Sequence, residues 1–442
     1  MPRPQLFSLE IPDDPTLSDV EDFSSPGFLW TYLTFYAAGA TLVASWTCFV
    51  LSIDAFAATY PDGMVGFVFP VVNMSSLLVI TLFMLVTGRQ LPLNLRMIGG
   101  FVSLLLSIVL VPLLQIVPGI DLHVRYVATL AMVILTSMAS ALVQSSTYGL
   151  GAVFGPTFLQ AIDGGKGIGA VVLVAARVIT KWLYDQDTPG LSSVALFFGL
   201  AFVIISISFG LYLLLPYNAF ASPKLDAYVR IQILTPLALP LPSPVRSPSK
   251  PAFSTSETTP IVLKDAPSDD GGSILNVLRQ AWKPVLMCFV TFCVCLACFP
   301  GLTTSLQSET ISATWFPVVL TAAYTLADLV GKSLPMYVRL LTVETLHYPI
   351  VLQLAFLPLF MFDVVHPFVL PDVVAIGLVA SLGLVTGYVG TSAMVLAPTT
   401  CSEVEHELVG MTGSLATITG LFAGSYVGLL LNFIVQLLMT TA

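Results

Sequence analysis

Asp328 and Lys332 stand four residues apart within residues 315–334, an otherwise apolar run in a chain that keeps most other charges for segment ends and loops. On a helix that spacing stacks acid and base on one face. A charge at membrane depth costs about 3 kcal/mol on insertion scales, so such residues face a bundle interior or a watery cavity, where they mark a path for a polar substrate or an ion. The competing reading is a structural ion pair that locks helices together. Glu403, Glu405 and Glu407 open the last apolar segment, where acid complements the positive end of a helix, so capping explains them without function. His123, His347, His366 and His406 fall near segment ends or in loops and form no metal constellation with the carboxylates, so neither a metal nor another cofactor is expected.

The elements that must position the pair follow from composition. With 56% hydrophobic and 9% charged residues, the chain departs from soluble globules, which carry about 25% charged residues, and a bilayer is the environment it fits. The net charge of -9 comes partly from the acidic stretch 10–22, which implies a solvated tail and no nucleic-acid partner, since polyanions need basic patches. That tail lacks the basic start and early apolar core of a secretory signal, so the first helix is expected to stay. Cys288, Cys293, Cys295 and Cys298 share one apolar segment, without disulfide-framework or zinc spacing, and read as packing thiols. Asn73 opens a glycosylation sequon inside a span, where it cannot be used.

A span needs about 20 apolar residues, and eleven such stretches occur, near 28–57, 67–88, 97–117, 124–159, 166–184, 191–216, 282–302, 312–336, 341–362, 373–397 and 408–438. The fourth is too long for one straight crossing, and Pro156 with Gly149, Gly151 and Gly155 predicts a kinked or tilted helix. Residues 217–281 form the one long polar segment, rich in Pro, Ser and Thr in its middle, and read as a flexible linker. Its seven Lys and Arg up to Lys283, with Arg89, Arg96, Lys166 and Arg339 in alternate short loops, fall on one side, leaving mainly Arg125 and Lys181 opposite. The positive-inside rule then places the linker and the amino terminus in the cytosol and Ala442 outside. The expected chain is an all-α polytopic membrane protein: an acidic tail over 1–27, six helices over 28–216, the linker over 217–281 and five helices over 282–442. Two bundles joined by a cytosolic linker suit a carrier that rocks one half against the other around a central site.

The motifs resemble those of the equilibrative nucleoside transporter family along most of the chain, and protozoan members in particular. Gly39 through Trp46 is similar to the family's glycine-then-tryptophan segment, followed by Asp54-Ala-Phe56 and Tyr60-Pro61. Gln144 begins a stretch through Gly149 and Phe154-Gly155-Pro156 to Gly165-Lys-Gly-Ile-Gly169, similar to the family's glutamine, FG element and GQG turn. Arg177-Val-Ile-Thr-Lys181 resembles the arginine and TK ending of the fifth helix. Asp328-Leu-Val-Gly-Lys332 resembles the eighth-helix D-x-x-G-R motif, and Gly387-Tyr388, Ala397-Pro398 and Glu405-x-Glu407-x-x-Gly410 resemble the closing signatures. The departures are Ser45 and Thr47 for a proline and an asparagine, Lys332 for an arginine, Thr325 for an asparagine and Ser140 for a glycine. Lysine lacks the planar fork of arginine, so a different substrate range is expected.

The resemblance implies a substrate pocket of Trp46, Gln144, Ser140, Thr325, Asp328 and Lys332. A flat base fits an aromatic wall and an amide that donates and accepts, which Trp46 and Gln144 supply. Ribose hydroxyls fit an ionised carboxylate and an ammonium, which Asp328 and Lys332 supply. Each has a plainer rival: Gln144 as interhelical glue, Trp46 as core or belt. Asp54 and Arg177 read as gating or structural candidates, and Glu405 and Glu407 gain a contribution to an inner gate. The expected activity is facilitated nucleoside transport, with nucleobases and purine salvage in view, at a plasma membrane. Protons are the alternative coupling ion, and Asp54, Asp328 or Glu344 could titrate if desolvated. A receptor-like member that binds without transport is a reading from another class. A membrane enzyme, for example an intramembrane aspartyl protease, is set aside because Asp328 lies in none of the motif settings of such enzymes.

Overall fold

A computed structural model describes residues 25–63, 65–184, 191–234, 274–303 and 305–441, so the acidic tail before residue 25 and the middle of the linker lie outside the described residues. The apolar runs are mostly helical, as the backbone requires where no water can satisfy it. The helices are α1 Phe28–Leu51, α2 Ile53–Thr59, α3 Val65–Thr87, α4 Leu93–Ile116, α5 Leu122–Phe154, α6 Pro156–Tyr184 and α7 Leu191–Leu214. They continue as α8 Ala221–Leu234, α9 Ile274–Gln280, α10 Trp282–Ala297, α11 Phe316–Ser333, α12 His347–Leu354, α13 Phe356–Val365, α14 Asp372–Leu396 and α15 His406–Thr441. Among the described residues, nine helical stretches are long and apolar enough to cross a membrane. The two expected spans outside that set are α6 and α11, and each carries a buried Asp–Lys pair. The outward faces are apolar, with Leu106, Val203 and Ile207 each about half exposed or more, as a lipid-facing surface requires.

The structure corrects three expectations. The long fourth stretch is not one kinked helix: α5 stops at Phe154 and α6 starts at Pro156, with Gly155 between them at φ 119°. That φ suits glycine, and proline at the first helical position loses no hydrogen bond it would otherwise make. Tyr148 on α5 faces Asp163 on α6, so the two helices form a hairpin folded at Gly155. Hydropathy missed the turn because its flanks, Phe154 and Phe158, are buried against Phe35 of α1, with ring centroids 5.2 Å away in each case. In the same way Lys166 is not a loop cation but a buried residue in the middle of α6, and Arg96, also expected in a loop, is buried within α4. Both cations have buried acids to pair with, which the loop assignment had no means to see.

In the first part α1 packs on α6 and α7, α4 on α5 and α7, and α3 on α5; in the second, α11 packs on α14, and α10 on α14 and α15. The two parts meet where α5 touches α15, α6 touches α11 and α14, and α3 touches α15. The close crossings run through glycine: a side chain at Gly39 or Gly165 would collide with the backbone of Ile162 or Tyr36, one at Gly331 with Leu384, and one at Gly410 with Tyr148. Apolar packing against lipid offers helices no preference for one another, and small residues that let backbones approach supply it instead.

Candidate functional site

The site is built on two crossings. On the first, α11 lies against α14 at Gly387, whose added Cβ would stand 3.2 Å from Asp328 Oδ1, so glycine leaves the carboxylate its room. There Lys332 Nζ donates to Asp328 Oδ2 at 2.6 Å, and the side chains are 11% and 6% exposed. On the second, α6 lies against α11 at Gly167, where a Cβ would meet Leu329 at 2.8 Å. Three residues apart on α6, Asp163 and Lys166 precede that contact, with Lys166 Nζ 3.8 Å from Asp163 Oδ1. The two pairs lie within electrostatic reach of each other. Tyr148 of α5 donates its hydroxyl hydrogen to Asp163 Oδ1, and Lys166 Nζ stands over the Tyr148 ring, 4.5 Å from its centroid. Four charges of zero net sign thus meet where the two parts of the chain join.

The other expected residues fall as follows. Gln144 is buried on α5 and its Nε2 donates to Ser414 Oγ on α15 at 3.2 Å, a bond between the two parts. Ser140, one turn earlier, shares a 2.8 Å hydrogen bond with Ser45 of α1. Those are two of the departures from the family pattern, and each hydroxyl satisfies the other. Trp46 is half-buried, its ring stacked on Phe49 with centroids 5.9 Å apart. Thr325 donates its hydroxyl hydrogen to the Thr321 carbonyl of its own helix. Arg177 is half-buried on α6; the side chain of Asp54 lies outside the described residues. Asp163 went unread in the sequence, although an acid three residues before a lysine inside an apolar run is the same signal that singles out Asp328 and Lys332.

Contacts join the two parts at both ends. On the end that carries the linker, Arg96 Nη2 of α4 donates to Glu407 Oε1 of α15 at 3.2 Å and to the Tyr228 hydroxyl of α8 at 2.9 Å, while that hydroxyl donates to Glu407 at 2.5 Å. Gln160 Nε2, in turn, donates to the Lys332 carbonyl at 3.3 Å and its Oε1 accepts from Tyr32 at 3.0 Å. A cleft lined by Pro156, Thr157, Gln160, Pro335, Met336, Arg339 and Val395 opens beside that contact. At the opposite end Lys181 Nζ donates to the Thr314 carbonyl, at 2.6 Å, ahead of α11, and stands 5.5 Å from the Trp315 ring centroid. Glu405 forms a capping box with Ser402, accepting from its backbone N–H at 3.3 Å. Glu344 is exposed and paired with Lys283 at 2.8 Å, which holds its carboxyl below the usual glutamate range, so the desolvation that proton coupling through it would need is missing.

The chain resembles known proteins along most of its length. A family model described as Nucleoside transporter matches residues 130–433. The Equilibrative nucleotide transporter 1 of Arabidopsis thaliana is 24% identical over 422 residues, covering 91% of this chain and 86% of that protein. The Equilibrative nucleoside transporter 4 of Homo sapiens is 24% identical, with 90% and 81% covered, and the Nucleoside transporter 1 of Crithidia fasciculata is 21% identical, with 95% and 90% covered. Among solved structures, a bacterial homologue of the iron transporter ferroportin in an outward-facing state superposes with a TM-score of 0.53 at 14% identity, covering 93% of this chain and 98% of that one; the likeness is one of fold.

Proposed function

The chain belongs to the nucleoside transporter family, and from that premise we propose that this multi-pass membrane protein carries nucleosides, purine nucleosides foremost, by alternating access and facilitated diffusion. The observation that carries the reading is the meeting of Asp163, Lys166, Asp328 and Lys332 at the α6–α11 crossing, with interlocking contacts above and below it. Buried charge is costly to keep, and a central site that exchanges water for a polar solute gives it a use. The topology that accompanies this reading is eleven crossings, six over 28–216 and five over 282–442, joined by a cytosolic linker at a plasma membrane.

In the working cycle Asp328 accepts from a ribose hydroxyl while Lys332 donates to another, so the 2.6 Å pair opens to admit the sugar and closes when it leaves. Trp46 supplies a flat wall for the base and Gln144 a donor and acceptor at its edge. Because Gln144 and Asp328 belong to different halves, a bound nucleoside bridges them and favours closure. Exit to the cytosol requires the Arg96–Glu407–Tyr228 contact and the Gln160–Lys332 contact to part, while the Lys181–Thr314 contact holds the outer end.

Vesicles containing the purified protein test this by counterflow. Loading with unlabelled inosine should drive transient accumulation of external labelled inosine without any ion gradient. A protein that binds inosine without such exchange would be a receptor-like member. Uptake that stays concentrative without internal substrate and collapses on adding a protonophore would replace facilitated diffusion with proton symport, for which the buried carboxyls Asp163 and Asp328 would be the candidates.

A further inference from the structure

Asp163 and Lys166 differ from the Asp328–Lys332 pair in a way that leaves polar groups open to a ligand. The pair on α11 is closed, with nitrogen and oxygen in hydrogen-bond contact. The pair on α6 stands open at 3.8 Å, beyond hydrogen-bond range. Asp163 is 2% exposed, and while its Oδ1 accepts from Tyr148, its Oδ2 is buried with no donor. A buried carboxylate oxygen without a donor is among the groups folded proteins avoid, unless something outside the protein fills it. Lys166 holds its ammonium over the ring face of Tyr148. Tyr148 lies one turn from Gln144 on α5, so the side chain that touches both the acceptor and the cationic donor is the helical neighbour of the amide expected at the base edge.

We propose that Asp163 and Lys166 form a base-edge subsite, in which Asp163 Oδ2 accepts a ring N–H and Lys166 Nζ donates to the carbonyl beside it. This deepens the carrier reading and rests on it, with the sugar held by Asp328 and Lys332. A ring N–H next to a carbonyl is the edge of a 6-oxopurine or a uracil. The base of inosine presents that edge, and methylation at its N1 removes the hydrogen that Asp163 would accept while leaving the carbonyl and the ribose intact. A site whose buried polar group is left unmatched rejects the analogue strongly, far beyond what an apolar pocket achieves.

The test uses the full chain in lipid vesicles and exchange of labelled inosine, with unlabelled inosine and 1-methylinosine as competitors. The expected result is that 1-methylinosine competes at least tenfold more weakly than inosine in the wild-type protein. In Asp163→Asn, which places a donor where an acceptor stood, that ratio should fall toward one, while the ratio of inosine to hypoxanthine, which reports the sugar, stays as it was. Equal competition by the two nucleosides in the wild-type protein overturns the subsite without any variant. An unchanged ratio in a folded Asp163→Asn protein likewise assigns Asp163 to structure alone. Exchange of inosine without discrimination thus removes only this assignment, whereas no exchange of any nucleoside removes the carrier reading and the subsite with it.

Discussion

Lys332 and Asp328 stabilise each other only as a couple, because each is a charge that the surrounding helices exclude from water. Removing one member of a buried pair costs about 3–5 kcal/mol through the charge left behind, so Lys332→Met should lower the melting temperature in detergent as well as abolish uptake. Asp328→Asn is the milder probe. It keeps the shape and loses the charge, and it should abolish nucleoside uptake while the protein still reaches the membrane; normal uptake by that variant would remove the ribose-binding role. Lys332→Arg should be tolerated, since a guanidinium keeps the charge and adds a fork. The inner contact is tested by exchange of charge: Arg96→Glu and Glu407→Arg should each reduce uptake at least tenfold, and the double variant should recover a measurable part, which two independent structural lesions would not do.

At the scale of the helix, the glycines of the family-like motifs act as contact points. Gly39, Gly165 and Gly169 bring α1 onto α6, Gly331 and Gly387 bring α11 onto α14, and Gly410 brings α15 onto α5, each against backbone atoms of the facing helix. Gly165→Val should therefore act by overpacking, which costs about 1–3 kcal/mol in a close-packed interior, and lower the melting temperature without altering substrate preference among the molecules still folded. A preserved melting temperature with altered preference would instead make Gly165 part of the pocket. Helix existence was readable from hydropathy because the lipid-facing surface imposes it. The turn at Gly155 was not, because a buried hairpin stays apolar on both sides of its fold.

For the whole molecule, the halves touch at the centre and at both ends, and the linker begins with a helix whose Tyr228 reaches the inner contact. Deleting residues 236–260, which lie beyond that helix in the Pro- and Ser-rich stretch, should leave transport kinetics nearly intact, whereas Tyr228→Phe, which removes one donor to Glu407 and leaves Arg96, should change the rate of inward release. Equal rates in both would detach the linker from the gate. The amino-acid sequence by itself determined a polytopic helical membrane protein, the Asp328–Lys332 couple and the family, since hydropathy, i to i+4 spacing and ordered motifs are local properties of the chain. Only the tertiary structure decided that Arg96 and Lys166 are buried partners and not loop cations, that Ser45 and Ser140 answer each other, and that Asp163 joins the central charges. The reason is physical: whether a charge is solvated or paired depends on what a distant helix brings beside it, and no local pattern encodes that distance.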